Sequence, residues 1–219
     1  MISLRATAFL LFLIILFSCN QEGQENQSPS QEVLDRSIAF HDPQGEWNTW
    51  EGQMNLKETR PDGNVRTTTL WFNNNESYLK IRRGDQEFGM KQDSCFVISG
   101  DVDCERVEFM RNYFLYLWGL PMKLQDPGTS LSGRVDTLTW NSRDVLALHV
   151  SYEKEDWSYY FDRQTYALTG YQFVKKDGTG EWIELYDTEE AGNMLLPRER
   201  RWFVLGDSTY LGADILTGD

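Results

Sequence analysis

The strongest constraint on this chain is a repeated pattern of short stretches that alternate apolar and polar residues and are separated by short polar turns. In 50–58, Trp50, Met54 and Leu56 fall on one face and Glu51, Gln53, Asn55 and Lys57 on the other. Period two of this kind marks a half-buried strand. Pro61-Asp62-Gly63-Asn64 turns the chain, because Pro fixes φ and Gly supplies a positive one. The segment 65–72, rich in Thr and aromatic residues, returns. Segments 77–82, 87–92 and 95–99 continue the series, and 135–140, 145–153, 157–161, 168–175, 181–188, 198–205 and 209–216 complete it. A parallel crossover needs about a dozen residues or more, and most of these connections are shorter. The pattern therefore predicts a mainly β (α+β) domain with an antiparallel meander of about 10–13 strands.

Two segments break the pattern. Ser28-Pro29-Ser30-Gln31 has the signature of a helix start, with a capping Ser and Pro in the first turn. Val33, Leu34, Ile38 and His41 then share a helical stripe, and Pro43 and Gly45 end it, which predicts a helix over 30–41. From Glu105 to Gly119, Val107, Met110, Phe114, Leu117 and Trp118 follow helical spacing. Asp103 can cap this helix; Gly119 and Pro121 stop it. Leu115, Tyr116 and Leu120 make its second half apolar nearly all round. Such a helix must be covered on several sides, so it belongs inside the curve of the sheet. The loop behind it, 121–129, is long for a meander, and long irregular loops are often functional.

The N-terminus reads as an address. Arg5 precedes an apolar run from Ala6 to Phe17, too short for a spanning helix of about 20 residues and ordered as in a secretory signal. Leu16-Phe17-Ser18-Cys19 resembles a bacterial lipoprotein cleavage box, with Phe17 bulkier than usual. The resemblance implies removal of residues 1–18 and lipidation of Cys19; ordinary secretion is the alternative. Asn20 in place of Asp leans toward the outer membrane. Residues 20–30 hold no aliphatic or aromatic side chain and read as a flexible tether. The expected division is a signal peptide over 1–18, a lipidated Cys and tether over 19–30, and one domain over 31–219.

Charge narrows the partners. The formal net charge is −13, which argues against nucleic acid, since a phosphate backbone needs a basic face. It also argues against docking of the folded body on an anionic membrane. The expected membrane contact is the N-terminal lipid alone.

The strand 50–56 after a short helix, an aromatic helix in mid-sheet and many antiparallel strands together resemble the LolA-like superfamily, the lipoprotein-carrier folds. A closer resemblance is to uncharacterised bacterial lipoproteins of LolA-like type. It is carried by His41-Asp42-Pro43, Arg111-Asn112-Tyr113, the stretch 116–124, Asp126-Pro127-Gly128-Thr129, Thr165-Tyr166-Ala167-Leu168 with Gly170-Tyr171, and Leu196-Pro197 through Trp202 to the stretch 210–215. The resemblance implies a half-barrel closed by helices, with the aromatic helix on its concave side and an apolar cavity between them. It brings no established activity.

Candidate chemistry is sparse. Cys95 and Cys104 flank the turn signal Ser99-Gly100-Asp101; an oxidising compartment favours a disulfide, and two buried free thiols are the alternative. His149 lies out of phase with the apolar face of its strand, and His41 is placed to cap a helix end, where the dipole favours a cation. Two distant histidines without companion ligands make no zinc site, and no metal or cofactor is expected. A Ser-His-Asp set is recognised by geometry alone, and no Gly-x-Ser-x-Gly elbow is present. Asp42 and Glu46, beside Trp47 and Trp50, are the least ordinary carboxylates, with a core or surface role the simpler reading. Arg198-Glu199-Arg200-Arg201 reads as a solvated edge, or as an anion clamp at a pocket mouth.

The aromatic content asks for explanation: 8 Trp, 10 Tyr and 12 Phe. They either fill the half-barrel, line a pocket for a hydrophobic ligand, or stack on sugars. Tyr113, Phe114, Leu117, Trp118, Met122 and Leu124 are the expected lid side of a pocket. The function expected is a non-enzymatic binder or carrier of a hydrophobic or amphiphilic ligand at the cell envelope. The alternatives are a structural lipoprotein with a self-filled core and a binder of envelope glycans.

Overall fold

The computed structural model describes residues 27–218. The expected leader 1–18, Cys19 and most of the expected tether lie outside them. Ser28–Ser30, the end of that tether segment, instead start a helix. The Oγ of Ser28 accepts from the Gln31 amide at 3.3 Å, and Pro29 opens helix α1 (Pro29–His41).

Among the described residues, twelve strands form one antiparallel sheet. They are β1 (Glu51–Thr59), β2 (Val65–Asn73), β3 (Tyr78–Arg83), β4 (Gln86–Lys91), β5 (Ser94–Ser99), β6 (Asp136–Trp140), β7 (Arg143–Ser151), β8 (Glu155–Asp162), β9 (Leu168–Lys175), β10 (Gly180–Ala191), β11 (Met194–Val204) and β12 (Tyr210–Thr217). The order across the sheet is β5-β4-β3-β2-β1-β12-β11-β10-β9-β8-β7-β6. Two meanders, β1–β5 and β6–β12, are thus joined at the centre, where Leu56 faces Leu216 and Lys57 faces Ile215. The chain passes from one sheet edge to the other through helix α2 (Cys104–Trp118). The expected half-barrel with one helix at its N-terminus and an aromatic helix on the concave side is the observed fold.

The twelve period-two segments are the twelve strands, with one substantive difference. β10 and β11 are longer than their patterns indicate and meet in a two-residue hairpin at Gly192-Asn193. Pro197, outside the expected strand 198–205, lies inside β11 opposite Thr188. Pro cannot donate to a ladder, and the ladder is interrupted beside it, where Asp187 takes φ 53°.

Helix α2 starts where Asp103 Oδ1 accepts from the Arg106 amide at 2.7 Å, a side-chain cap worth about 1 kcal/mol. Cys104, its first residue, is disulfide-bonded to Cys95 of β5, with the Cα atoms 5.8 Å apart. The helix ends at Gly119, where a Cβ would stand 2.3 Å from the Trp47 ring; only glycine lets the chain pass that indole. Val107, Met110, Phe114 and Trp118 press on Leu56, Leu70, Leu79, Ile81 and Phe88 of the first meander. Each such side chain contributes about 1.5–3 kcal/mol on burial.

Two sequence expectations change here, and the ordinary reading of Asp42 and Glu46 stands. His41 is not a cation at the helix end: it is fully buried, its Nδ1 hydrogen-bonded to the Leu195 carbonyl and its Nε2 accepting from the Leu168 amide at 2.9 Å. That pair of contacts defines the neutral Nδ1–H tautomer, and burial drives its pKa down to about 4. Arg200 is not on a solvated edge. It is 1% exposed, because β11 is an interior strand whose Arg200 and Trp202 face inward, while Arg201 pairs with Glu199 at 2.6 Å and Arg198 reaches Glu189 at 3.7 Å. Asp42 and Glu46 are structural: Asp42 takes the amides of Glu46 and Trp47 at 2.7 and 2.9 Å, and Glu46 accepts from the Asn193 amide at 3.0 Å, holding the β10–β11 hairpin.

Candidate functional site: an aromatic groove beside helix α2

The concave face is filled unequally. Over β1–β4, α2 closes directly on the sheet. Over β8–β11 it touches the sheet through Tyr113, Tyr116 and Leu117 and leaves beside them a cavity of about 1030 Å³. Tyr113, Tyr116 and Leu117 form its helix side, and Trp157, Phe173 and Trp202 its sheet side. The loop Asp126-Pro127-Gly128-Thr129 closes one end.

The sheet side follows from register. Trp157 of β8 lies opposite Phe173 of β9, and Tyr159 opposite Tyr171. Alternation then sends all four inward. Trp157 stacks on Phe173 at 5.1 Å and on Tyr171 at 5.9 Å between ring centres. On the helix side, Tyr113 stacks on Trp202 at 5.9 Å. Asp214 of β12 lies beneath that pair and accepts from the Trp202 indole N–H at 3.2 Å and the Tyr113 hydroxyl at 3.4 Å. Burial, with Glu58 nearby, raises the Asp214 pKa from its ordinary value, and burial raises the Tyr113 phenol.

A chain of hydroxyls ties helix to sheet and loop. Tyr116 bonds Tyr159 and, at 3.2 Å, Tyr152; Tyr152 meets Thr129 at 3.4 Å. The Tyr116 ring stands edge-on to Trp157 at 5.7 Å. The rim is charged and mixed: Arg111, Lys123 and Lys175 against Asp126, Glu155 and Glu181. Burial raises the Glu181 pKa, opposed by Lys175. Apolar walls with a few placed polar groups are the usual form of a small-molecule site.

Of the residues singled out as a pocket lid, Tyr113 and Leu117 line this groove. Phe114, Trp118, Met122 and Leu124 are buried. Phe114, Trp118 and Met122 pack with the first meander, and Leu124 with the second. Helical spacing identifies the apolar residues of α2 but does not say which of its two apolar sides meets sheet and which meets space. The sheet side of the groove was missed; the one signal for it is the cross-strand alignment of aromatic residues in 157–161 and 168–175.

His149 contacts Ser158 at 2.9 Å and Asp136 at 3.1 Å. That line runs over the convex face, with Ser158 in mid-strand between β7 and β9. Its surrounding amides belong to the ladder, so none is left to stabilise an oxyanion. Among the described residues, no group of three or more His, Cys, Asp and Glu is placed to hold a metal ion.

Residues 92–204 match the model of a family described as "Family of unknown function (DUF6503)". The chain belongs to this family. The matched segment of this DUF6503 protein runs from the turn before β5 to the end of β11 and contains every residue that lines the groove. The fold is similar to the crystal structure of a LolA superfamily protein from Nitrosomonas europaea, with TM-score 0.55 and 10% identity over 86% of this chain and 91% of that one. It is also similar to a DUF1329 family protein from Desulfovibrio piger, with TM-score 0.51 and 9% identity over 87% and 92%. These likenesses establish a LolA-like fold. A search of curated proteins finds no match.

Proposed function

We propose that this DUF6503 protein is a lipid-anchored envelope lipoprotein that binds or carries a hydrophobic or amphiphilic ligand without chemically changing it. One observation carries the reading: beside the packed core of the second meander, α2 leaves a groove of about 1030 Å³ with aromatic rings in its wall. A protein whose interior served only as core has no reason to leave that space open, since close packing is worth kilocalories per side chain. The lipoprotein part rests on Leu16-Phe17-Ser18-Cys19, and the location at the envelope on that segment together with the LolA-like fold.

Native mass spectrometry of the chain from residue 20 onward, before and after organic extraction, tests the binding. The expected result is a lipid-sized mass that extraction removes. A clean apo mass that stays unchanged after incubation with envelope lipids overturns the carrier reading. Metabolic labelling with an alkyne fatty acid tests the anchor: the expected signal is lost in Cys19→Ala.

A further inference from the structure

Arg111 has no use in the fold that its surroundings explain. It stands on α2 one turn before Leu115 and on the same face. Its Nε is buried and has no hydrogen-bond partner, and among the described residues it forms no ion pair within the usual salt-bridge distance. The neighbouring cation, Lys123, differs: it is paired with Asp126. A buried donor left unmet costs about 1–3 kcal/mol, so a fold gains nothing by burying this one alone.

Its position is informative. A second cavity of about 260 Å³ lies on the other side of Arg111 and is polar, with Asn48, Asn74 and Ser77 in its lining. It shares Arg111, Leu115, Lys123 and Asp126 with the aromatic groove. Arg111 therefore stands where an apolar slot meets a polar pocket. Around the small cavity the charged residues are Arg111, Lys123 and Asp126, a net positive setting in a chain of net charge −13. A guanidinium offers a planar fork of donors that fits carboxylate and phosphate oxygens.

We infer that Arg111 is the headgroup site of the groove, and that the ligand is an amphiphile with an apolar chain and a compact anionic headgroup, carboxylate or phosphate. This rests on the groove being a ligand site. The chain lies against Trp157, Phe173 and Leu117; the headgroup lies at Arg111, with the amides of the smaller cavity within its reach.

The test compares cis-parinaric acid, its methyl ester and a lysophosphatidic acid competitor on the purified protein, by fluorescence titration, in wild type, Arg111→Gln and Arg111→Lys. Wild type is expected to bind the acid at least about tenfold more tightly than the ester. Arg111→Gln erases that difference, and Arg111→Lys restores part of it. Added salt weakens the acid and leaves the ester in place. Tighter competition by lysophosphatidic acid than by unlabelled palmitate assigns the headgroup to phosphate, and the reverse order to carboxylate. If Arg111→Gln keeps the full preference for the acid, the headgroup assignment is overturned while the groove stands. If wild type binds neither acid nor ester, the groove reading falls and takes this inference with it. Near-ultraviolet circular dichroism of each variant separates a lost contact from a lost fold.

Discussion

The guanidinium carbon of Arg200 lies 3.5 Å from the centre of the Trp118 ring, and the same group donates to the carbonyls of Leu117 at 3.1 Å and Pro197 at 2.9 Å. A cation from the middle of β11 thus holds the last turn of α2, where orphan carbonyls collect. Burial lowers its pKa from the usual guanidinium value, opposed by the carboxylate of Asp214. Arg200→Ala is expected to cost about 3 kcal/mol, from an unmet buried carbonyl and a void under Trp118. Urea unfolding measures it, and a midpoint equal to wild type contradicts this account of the helix anchor.

His41 makes stability depend on pH in a defined direction. In the fold its Nε2 must accept from Leu168, so protonation breaks that bond. With a folded pKa of about 4 against 6.5, the unfolded chain binds the proton first as pH falls. The contribution is complete above about pH 6.5 and is lost between there and about pH 4, at up to about 1.4 kcal/mol per unit. His41→Gln can keep both bonds without titrating. Unfolding free energies from pH 7 to 4 are expected to fall less steeply in the variant, and parallel curves refute the assignment.

The Cys95–Cys104 link closes a short loop at the start of α2. In the chain-entropy model such a loop is worth about 2.5 kcal/mol. The double variant Cys95→Ser with Cys104→Ser is expected to unfold at lower urea by that amount, and reductant is expected to shift wild type to meet it. A midpoint insensitive to reductant shows that the link contributes nothing.

Phe173 is half-buried on the groove's sheet side, against Trp157. Phe173→Asp places a charge in the apolar slot without emptying the main core. It is expected to weaken binding of cis-parinaric methyl ester at least about tenfold while the thermal midpoint moves by a few degrees. Equal ester affinity in the two proteins removes Trp157 and Phe173 from the binding surface.

The fold was legible because its signals are local. Alternation at Trp50, Met54 and Leu56, and turns such as Pro61-Asp62-Gly63-Asn64, fix strands from nearest neighbours. Arg200 and Pro197 show the limit. Each looks out of place in an inner strand, and each is accommodated by partners distant in sequence: Trp118 and Leu117 for the first, an interrupted ladder at Asp187 for the second. The groove was half legible for the same reason. Aromatic residues on α2 announce an apolar lining, but Phe114 and Trp118 pack into the first meander whereas Tyr113 meets Trp202 at the groove's edge, and that choice depends on how far the sheet curves. Arg111 carries no local signal of its role, because being unpaired is a property of its surroundings.

Helix α2 is fastened at both ends, by Cys95 at its start and Arg200 at its finish, with Tyr116 bonded to the sheet between them. A wall held in this way does not swing aside to admit a guest. On the proposed reading a ligand slides in along the open flank of the slot, and little of its binding energy is diverted into ordering the protein. For the proposed ligand, such a slot gauges the length and girth of the apolar chain, as a gauge sorts rods, while Arg111 reads the headgroup.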